Sequence, residues 1–278
     1  DAINHAFSVI STGGLSTKNL SIASFDSNLI NILTIIFMFF SSVHFGLIYM
    51  VFATRSLRPL NNPVLKFYVL TILIASLLVA LSLKMSSAGF TWGDSFMTGI
   101  FQVVSFISTT GFAISDNSTW PLFACFITVL ISIPCGMAGS TTGGVKSDRM
   151  FLIFKTIGQQ IKNSIHPSSI NQVHVGNHIM GSNEIYPHFV YFGLYFITIA
   201  ASIVLTVLSG MDIQNAFASS VSFLSNVGPA LEAQGTLGNY NAVPVFAKVV
   251  FIIDMFMGRV EIYPILAVVM MVFTGKKK

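Results

Sequence analysis

Three short runs of small, polar and glycine residues carry the chemistry open to this sequence: Ile10-Ser11-Thr12-Gly13-Gly14-Leu15, Ile107-Ser108-Thr109-Thr110-Gly111-Phe112 and Leu224-Ser225-Asn226-Val227-Gly228-Pro229. Backbone carbonyls from several such loops, aimed at one axis, can replace the water shell of a cation. Glycine permits the unusual backbone angles such a loop needs, and small neighbours let the loops approach one another. One Ser-Thr-Gly run is compatible with ordinary helix packing. Three of them, spaced 97 and 117 residues apart from Gly14 to Gly111 to Gly228, point to an internal repeat.

The elements around the loops have the same order each time. An amphipathic segment of about ten residues, too short to cross a bilayer, precedes each loop, and a long apolar segment follows it. Five stretches are expected to span: 29–52, 67–83, 122–134, 189–208 and 243–273. The third is short because it runs into the glycine-rich stretch 136–144, and the last is long and carries charge. The predicted fold is therefore an all-α polytopic membrane protein of helix–pore loop–helix units around a pseudo-fourfold cation pore. The predicted boundaries are 1–58 (pore loop and inner helix of one repeat), 59–165 (a complete repeat with an intramembrane loop at 136–146), 166–186 (a cytoplasmic connector) and 187–278 (a final repeat). Pore helices direct the partial negative charge of their C-termini at the site. Asp94 and Asp212 stand where the second and third of them should begin, as N-caps do.

Composition supports a membrane class. Of 278 residues, 53% are hydrophobic and 9% charged, against roughly 25% charged in soluble domains. Arg55, Arg58, Lys66, Lys146, Arg149, Lys155, Lys162 and Lys276–Lys278 fall on one side of the predicted topology, which the positive-inside rule makes cytoplasmic. The opposite loops mix Lys18, Lys84 and Lys248 with Asp26, Asp94, Asp116, Asp212 and Glu232, so the glycine loops face outward. Cys125 and Cys135 lie about 15 Å apart along one predicted helix, too far for a disulfide, and read as apolar fillers.

Two interior features demand an explanation. Arg259 lies within a predicted span, where an arginine costs roughly 2.5–3.5 kcal/mol on insertion scales. It reads either as a salt bridge with Asp254 or Glu261, reached across helices, or as an electrostatic barrier below the filter. The 136–144 stretch is irregular backbone at membrane depth, tolerated only where it is buried in protein or lines water. A phosphate-binding loop is excluded because Val145 stands where that motif requires lysine. A gate beneath the filter, formed by Gly139, Ser140, Thr141, Thr142, Gly143, Gly144 and Lys146, competes with a plain packing kink. His44 reads as a satisfied histidine of the core or pore wall. His166, His174, His178 and His188 do not fall at metal-ligand spacing.

Three further motifs make the chain recognisable. Gly139-Ser140-Thr141-Thr142-Gly143-Gly144-Val145-Lys146, Gly258-Arg259-Val260-Glu261-Ile262, and Ile165-His166-Pro167 with Val173 and Gly176 resemble signatures of the Trk/Ktr/HKT superfamily of potassium transporters. The resemblance is closest to the bacterial Trk-type membrane subunit and runs over essentially the whole chain. It implies four repeats, of which this chain holds the second from its pore helix onward, the third and the fourth. It also implies that carbonyls of Thr12, Gly13, Gly14, Thr109, Thr110, Gly111, Asn226, Val227 and Gly228 line the filter, with Arg259 and the 139–146 loop as gate.

The resulting expectation is a pore-forming subunit of a potassium uptake system in the bacterial cytoplasmic membrane. It would carry K+ as its transported ion, with no organic cofactor and no enzymatic site. By the same resemblance it would form a homodimer in the lipid bilayer with a cytosolic nucleotide-binding, TrkA-like regulatory subunit and no nucleic-acid partner. A K+/H+ or Na+ symporter using the same filter is the alternative. Transporters of another fold would need inverted repeats, and these run in one orientation.

Overall fold

The computed structural model describes residues 1–86, 89–166, 173–176, 178–231 and 234–274. Pro167, Glu232 and Lys276–Lys278, used above, lie outside the described residues. Eleven helices are seen among the described residues: α1 (Ala2–Ile10), α2 (Asn28–Ser42), α3 (Phe45–Thr54), α4 (Pro63–Met85), α5 (Trp92–Ile107), α6 (Leu122–Ile131), α7 (Ser147–Ile165), α8 (Ser182–Leu208), α9 (Ile213–Leu224), α10 (Val245–Val260) and α11 (Ile262–Thr274).

The long helices begin where the sequence supplies caps. Asn62 accepts from the N–H groups of Val64 and Leu65 at 2.8 and 3.4 Å, and Pro63 opens α4 without an N–H to satisfy. At 23 residues α4 is about 35 Å long, enough for a bilayer core of about 30 Å. One face of α4 buries Tyr68, Ile72, Ala75, Val79 and Leu83, while Leu70, Leu73, Ile74 and Leu77 point outward. An outward face made of leucine and isoleucine suits hydrocarbon rather than water. By length and composition α4 and α8 are each able to cross a membrane, and the bent pairs α2–α3 and α10–α11 bring the number to as many as four.

Those bends correct the expected spans at 29–52 and 243–273. Between α2 and α3 the chain turns by 96° at Val43 and His44, and between α10 and α11 by 111° at Glu261. The first break has a cause in distant parts of the chain. The backbone carbonyl of Ser42 accepts from Met137 N–H at 2.9 Å, and that of Ser41 accepts from the Thr141 hydroxyl at 3.1 Å. Carbonyls spent on a distant loop are lost to the helix ladder, and the helix ends there. His44 then caps α3, its Nδ1 accepting from Gly46 N–H at 2.8 Å.

The three short helices precede the three glycine loops, but they are unequal, at 9, 16 and 12 residues. Asp212 caps α9 as expected, accepting from Gln214 N–H at 3.0 Å. Asp94 does not cap α5. Thr91 does, accepting from Asp94 N–H at 3.2 Å, while its hydroxyl donates to the Asp94 carboxylate at 2.6 Å. The reciprocal pair places the acid inside the first turn, where it still meets the helix dipole.

The α5 helix forms the centre of the molecule: from Phe101 to Ile107 every side chain is buried, packed against α4, α2 and α6. Around α9 stand α8 and α10. In the connector, β1 (Val173–Val175) and β2 (His178–Met180) form a small antiparallel hairpin in an otherwise helical fold, with Val173 opposite Met180 and Val175 opposite His178. Helix α8 starts at Ser182, five residues before the expected start of the last repeat at 187.

Candidate functional site

Each short helix ends in a serine with right-handed backbone, Ser11, Ser108 or Ser225. The next residue is left-handed in all three loops: Thr12 at φ 53°, Thr109 at 54° and Asn226 at 61°. The glycine two positions on is again at positive φ, with Gly14 at 65°, Gly111 at 79° and Gly228 at 99°, whereas Gly13, Thr110 and Val227 between them are not. Alternation of this kind turns successive backbone groups of one type to the same side, the principle by which N–H groups make an anion nest and carbonyls can surround a cation.

The hydrogen bonds repeat as closely as the dihedrals. Gly13, Thr110 and Val227 N–H groups donate to the carbonyls of Ser8, Ser105 and Ser222 at 2.8, 2.9 and 2.9 Å. Ser105 and Ser222 also donate their hydroxyls to the carbonyls just after the loop glycines, Phe112 and Pro229, both at 2.6 Å. These serines were not singled out in the sequence. The available signal was a serine six positions ahead of each loop glycine in all three repeats.

The loops touch edge to edge. A Cβ on Gly14 would fall 1.9 Å from the Thr110 carbonyl oxygen, and one on Gly111 would fall 2.3 Å from that of Val227. No side chain fits at either position, so glycine is required by contact as well as by φ. Beyond the loops, Ala23 N–H donates to Ala113 O at 3.1 Å. Asn117 donates to Ala230 O at 3.0 Å and accepts from Thr236 N–H at 2.9 Å, tying the second loop to the third. Tyr240 donates to the Gly228 carbonyl at 2.8 Å, which occupies one of its two lone pairs.

The glycine-rich stretch separates α6 from α7 and reaches all three loops. The Thr141 hydroxyl lies 3.1 Å from Ile10 O, and the Thr12 hydroxyl lies 3.1 Å from Thr141 O. Gly143 N–H donates to the Thr109 hydroxyl at 3.2 Å, and a Cβ on Gly143 would fall 2.6 Å from Ser225 O and 2.9 Å from Asn226 Cβ. The first variable position of each filter-like triplet, Thr12, Thr109 or Asn226, therefore meets this one stretch. Gly139 packs on the His44 ring and its carbonyl accepts from Phe45 N–H at 3.2 Å, so the stretch also seats in the α2–α3 break. Ser140 and Thr142 hydroxyls pair at 2.8 Å, Lys146 donates to the Thr142 carbonyl, and Gly144 packs against Cys135.

Arg259 pairs with neither acid considered for it. Its Nη1 donates to the Thr141 carbonyl at 2.5 Å. Asp254, 3% exposed, accepts from the Ser202 hydroxyl at 2.5 Å, and Glu261 pairs with Arg149 at 2.7 Å. Gly258, one residue before Arg259, lets α10 run directly against the third loop, since a Cβ there would fall 1.9 Å from Leu224 O. Cys125 and Cys135 are both buried free thiols.

Comparison with known proteins agrees with this architecture. The TrkH family of cation transport proteins matches residues 1–274. The Trk system potassium uptake protein TrkH of Escherichia coli (strain K12) is 32% identical over 271 residues, covering 96% of this chain and 55% of that protein. The Trk system potassium uptake protein TrkG of the same organism is 30% identical, covering 96% of this chain and 54% of that protein. The crystal structure of the potassium transporter TrkH from Vibrio parahaemolyticus superposes with a TM-score of 0.89 at 30% identity, covering 96% of this chain and 57% of that one. The chain thus spans about half the length of the curated relatives it matches. On the matched residues and the shared fold, the chain belongs to the TrkH family of cation transport proteins.

Proposed function

We propose that this chain forms most of the ion pathway of a potassium uptake system, with the carbonyls of 12–14, 109–111 and 226–228 as its selectivity filter. The observation that carries the reading is the threefold repetition of one loop conformation, with left-handed residues at the same two positions, and with Gly14 and Gly111 each packed on the next loop's carbonyl. Dehydrated K+ requires several oxygens held by backbone rather than by mobile side chains, and these loops supply them from short helices whose C-termini favour a cation.

Beneath the filter, the 139–146 stretch and Arg259 act as the gate. A guanidinium on the pathway repels a cation, and its bond to Thr141 joins it to the stretch that underlies all three loops. Opening requires that both withdraw. The relatives are named as potassium uptake proteins of the Trk system, which supports K+ as cargo and a membrane location for the apolar helices. The bacterial cytoplasmic membrane, a homodimer and a cytosolic nucleotide-binding regulatory subunit complete the proposal. Arg55 just past α3, Lys66 of α4, and Lys155 and Lys162 of α7 would face that subunit.

The deciding experiment is rubidium and sodium uptake into liposomes holding the intact protein, wild type against Gly111→Ser. Fast rubidium uptake with poor sodium uptake, and loss of that discrimination in the variant, is the expected result. A wild type that carries neither ion, with or without a regulatory partner, would sink the pore reading.

A further inference from the structure

The two breaks that frame the gate are tied together by one ion pair. Arg149 lies in the first turn of α7, immediately after the glycine-rich stretch, and Glu261 is the single residue between α10 and α11. Arg149 Nη2 meets Glu261 Oε2 at 2.7 Å. The pair is largely shielded, with side-chain exposures of 17% and 37%, and the guanidinium carbon stands 3.9 Å from the Tyr191 ring centroid on α8. The Tyr191 ring in turn meets Tyr263 of α11 edge-on at 5.5 Å. Arg149 is therefore held by α8 and α10–α11 at once.

Glu261 adopts φ 72°, ψ 151°, a region in which a residue with a side chain persists only where its surroundings over-determine it. On the other side of the pair, the first turn of α7 is fastened back to the glycine-rich stretch: Asp148 accepts from Ala138 N–H at 2.5 Å, and Ser147 donates to Cys135 O at 2.5 Å. Two residues before Glu261, Arg259 reaches Thr141. The segments 137–149 and 258–262 thus meet through two parallel ties, Arg259–Thr141 beneath the filter and Arg149–Glu261 further out.

We infer that the Arg149–Glu261 pair positions the gate, locking the α10–α11 break to the helix that leaves the glycine-rich stretch so that Arg259 and Thr141 stay together. The inference rests on the pore reading above. Arg149 and Glu261 are positioning residues: neither meets the ion, and both act through Arg259 and the loop. Displacement of α11 then strains the outer tie first and releases the inner one with it, which makes α11 a lever on the gate.

The test is resting rubidium flux through the intact protein in liposomes, without regulatory partner, for Arg149→Gln, Glu261→Gln and the double variant. Each single change should raise flux about fivefold, the lower end of typical coupling between linked sites. The double variant should match either single one, because both remove the same unit. A merely structural strut would lower the melting temperature and leave flux per folded protein unchanged, which would overturn the inference, as would additive effects.

A second arm covers variants that fold poorly. In Arg149→Cys with Glu261→Cys, a short thiol-to-thiol linker should restore low flux and its reductive cleavage should raise flux again; Cys125 and Cys135 are buried and do not compete. Flux indifferent to the linker would overturn the coupling while leaving the pore reading intact. A wild type without flux would overturn both.

Discussion

Arg259 and Thr141 are 118 positions apart in the chain, yet the guanidinium of one donates to the backbone carbonyl of the other at 2.5 Å. The same oxygen lies 3.1 Å from the Thr12 hydroxyl. One carbonyl of the irregular stretch therefore meets both the first filter-like loop and the one arginine of the last repeat. An arginine in a predicted span is explained by this contact.

Removing that charge should speed permeation. Arg259→Ala is expected to raise resting rubidium flux at least about tenfold, equivalent to a barrier lower by about 1.4 kcal/mol. Arg259→Lys keeps the charge but not the planar fork, and should fall between the two. Liposome flux measures both, and an alanine variant no faster than wild type would remove Arg259 from the gate.

Gly258→Ala isolates contact from conformation. Its backbone is helical, so no left-handed penalty applies, but the added methyl would lie 1.9 Å from Leu224 O and 2.5 Å from Asn226 Nδ2. Pushing α10 off the third loop is expected to cost about 1–3 kcal/mol, the usual range for overpacking, and to impair rubidium-over-sodium selection. Thermal unfolding in detergent together with flux ratios measures the two effects. An unchanged melting temperature would show that the contact is easily relieved.

The serines behind the loops should matter in proportion to their bonds. Ser105→Ala and Ser222→Ala each remove a hydroxyl that holds the carbonyl after a loop glycine, at a cost of about 0.5–1.5 kcal/mol. Ser8 occupies the same position ahead of Gly14, but among the described residues its buried hydroxyl has no partner, so Ser8→Ala should be nearly neutral. Melting temperatures of the three variants, compared side by side, decide the point.

Asp254 is buried between α8 and α9, with Ser202 as its donor and Ser220 Oγ 2.9 Å from Ser202. No Lys, Arg or His nitrogen lies within 4.0 Å of its carboxylate among the described residues. Asp254→Asn keeps the acceptor oxygen with no charge to bury and should change stability by less than about 1 kcal/mol. Asp254→Leu removes the acceptor and leaves the Ser202 hydroxyl only Ser220, and should cost about 0.5–1.5 kcal/mol, the net worth of one hydrogen bond. Detergent melts of both variants against wild type check the contrast.

Much of the architecture could be read from residue order alone. The three glycine runs, the short helices before them and the break at 136–144 are local events, fixed by glycine content, segment length and apolar runs. The same holds for Asp212, whose capping role depends only on its neighbours. Thr91, three residues ahead of Asp94, caps α5 instead, as only the bond network shows.

What local signals could not carry was decided by long-range hydrogen bonding. Residues 29–52 are predominantly apolar and read as one span; the helix breaks because the Ser41 and Ser42 carbonyls are claimed by Thr141 and Met137, about a hundred positions away. Residues 243–273 likewise read as one span, and their turn at Glu261 comes with a partner on α7. Arg259 had two acids within a few residues and bonded to neither: Asp254 lies five positions back, on another face of α10, and Glu261 sits in the break beyond it, paired with Arg149. Sequence determined which segments could form loops and helices. Only the fold determined which carbonyls, freed at each break, would meet which donors.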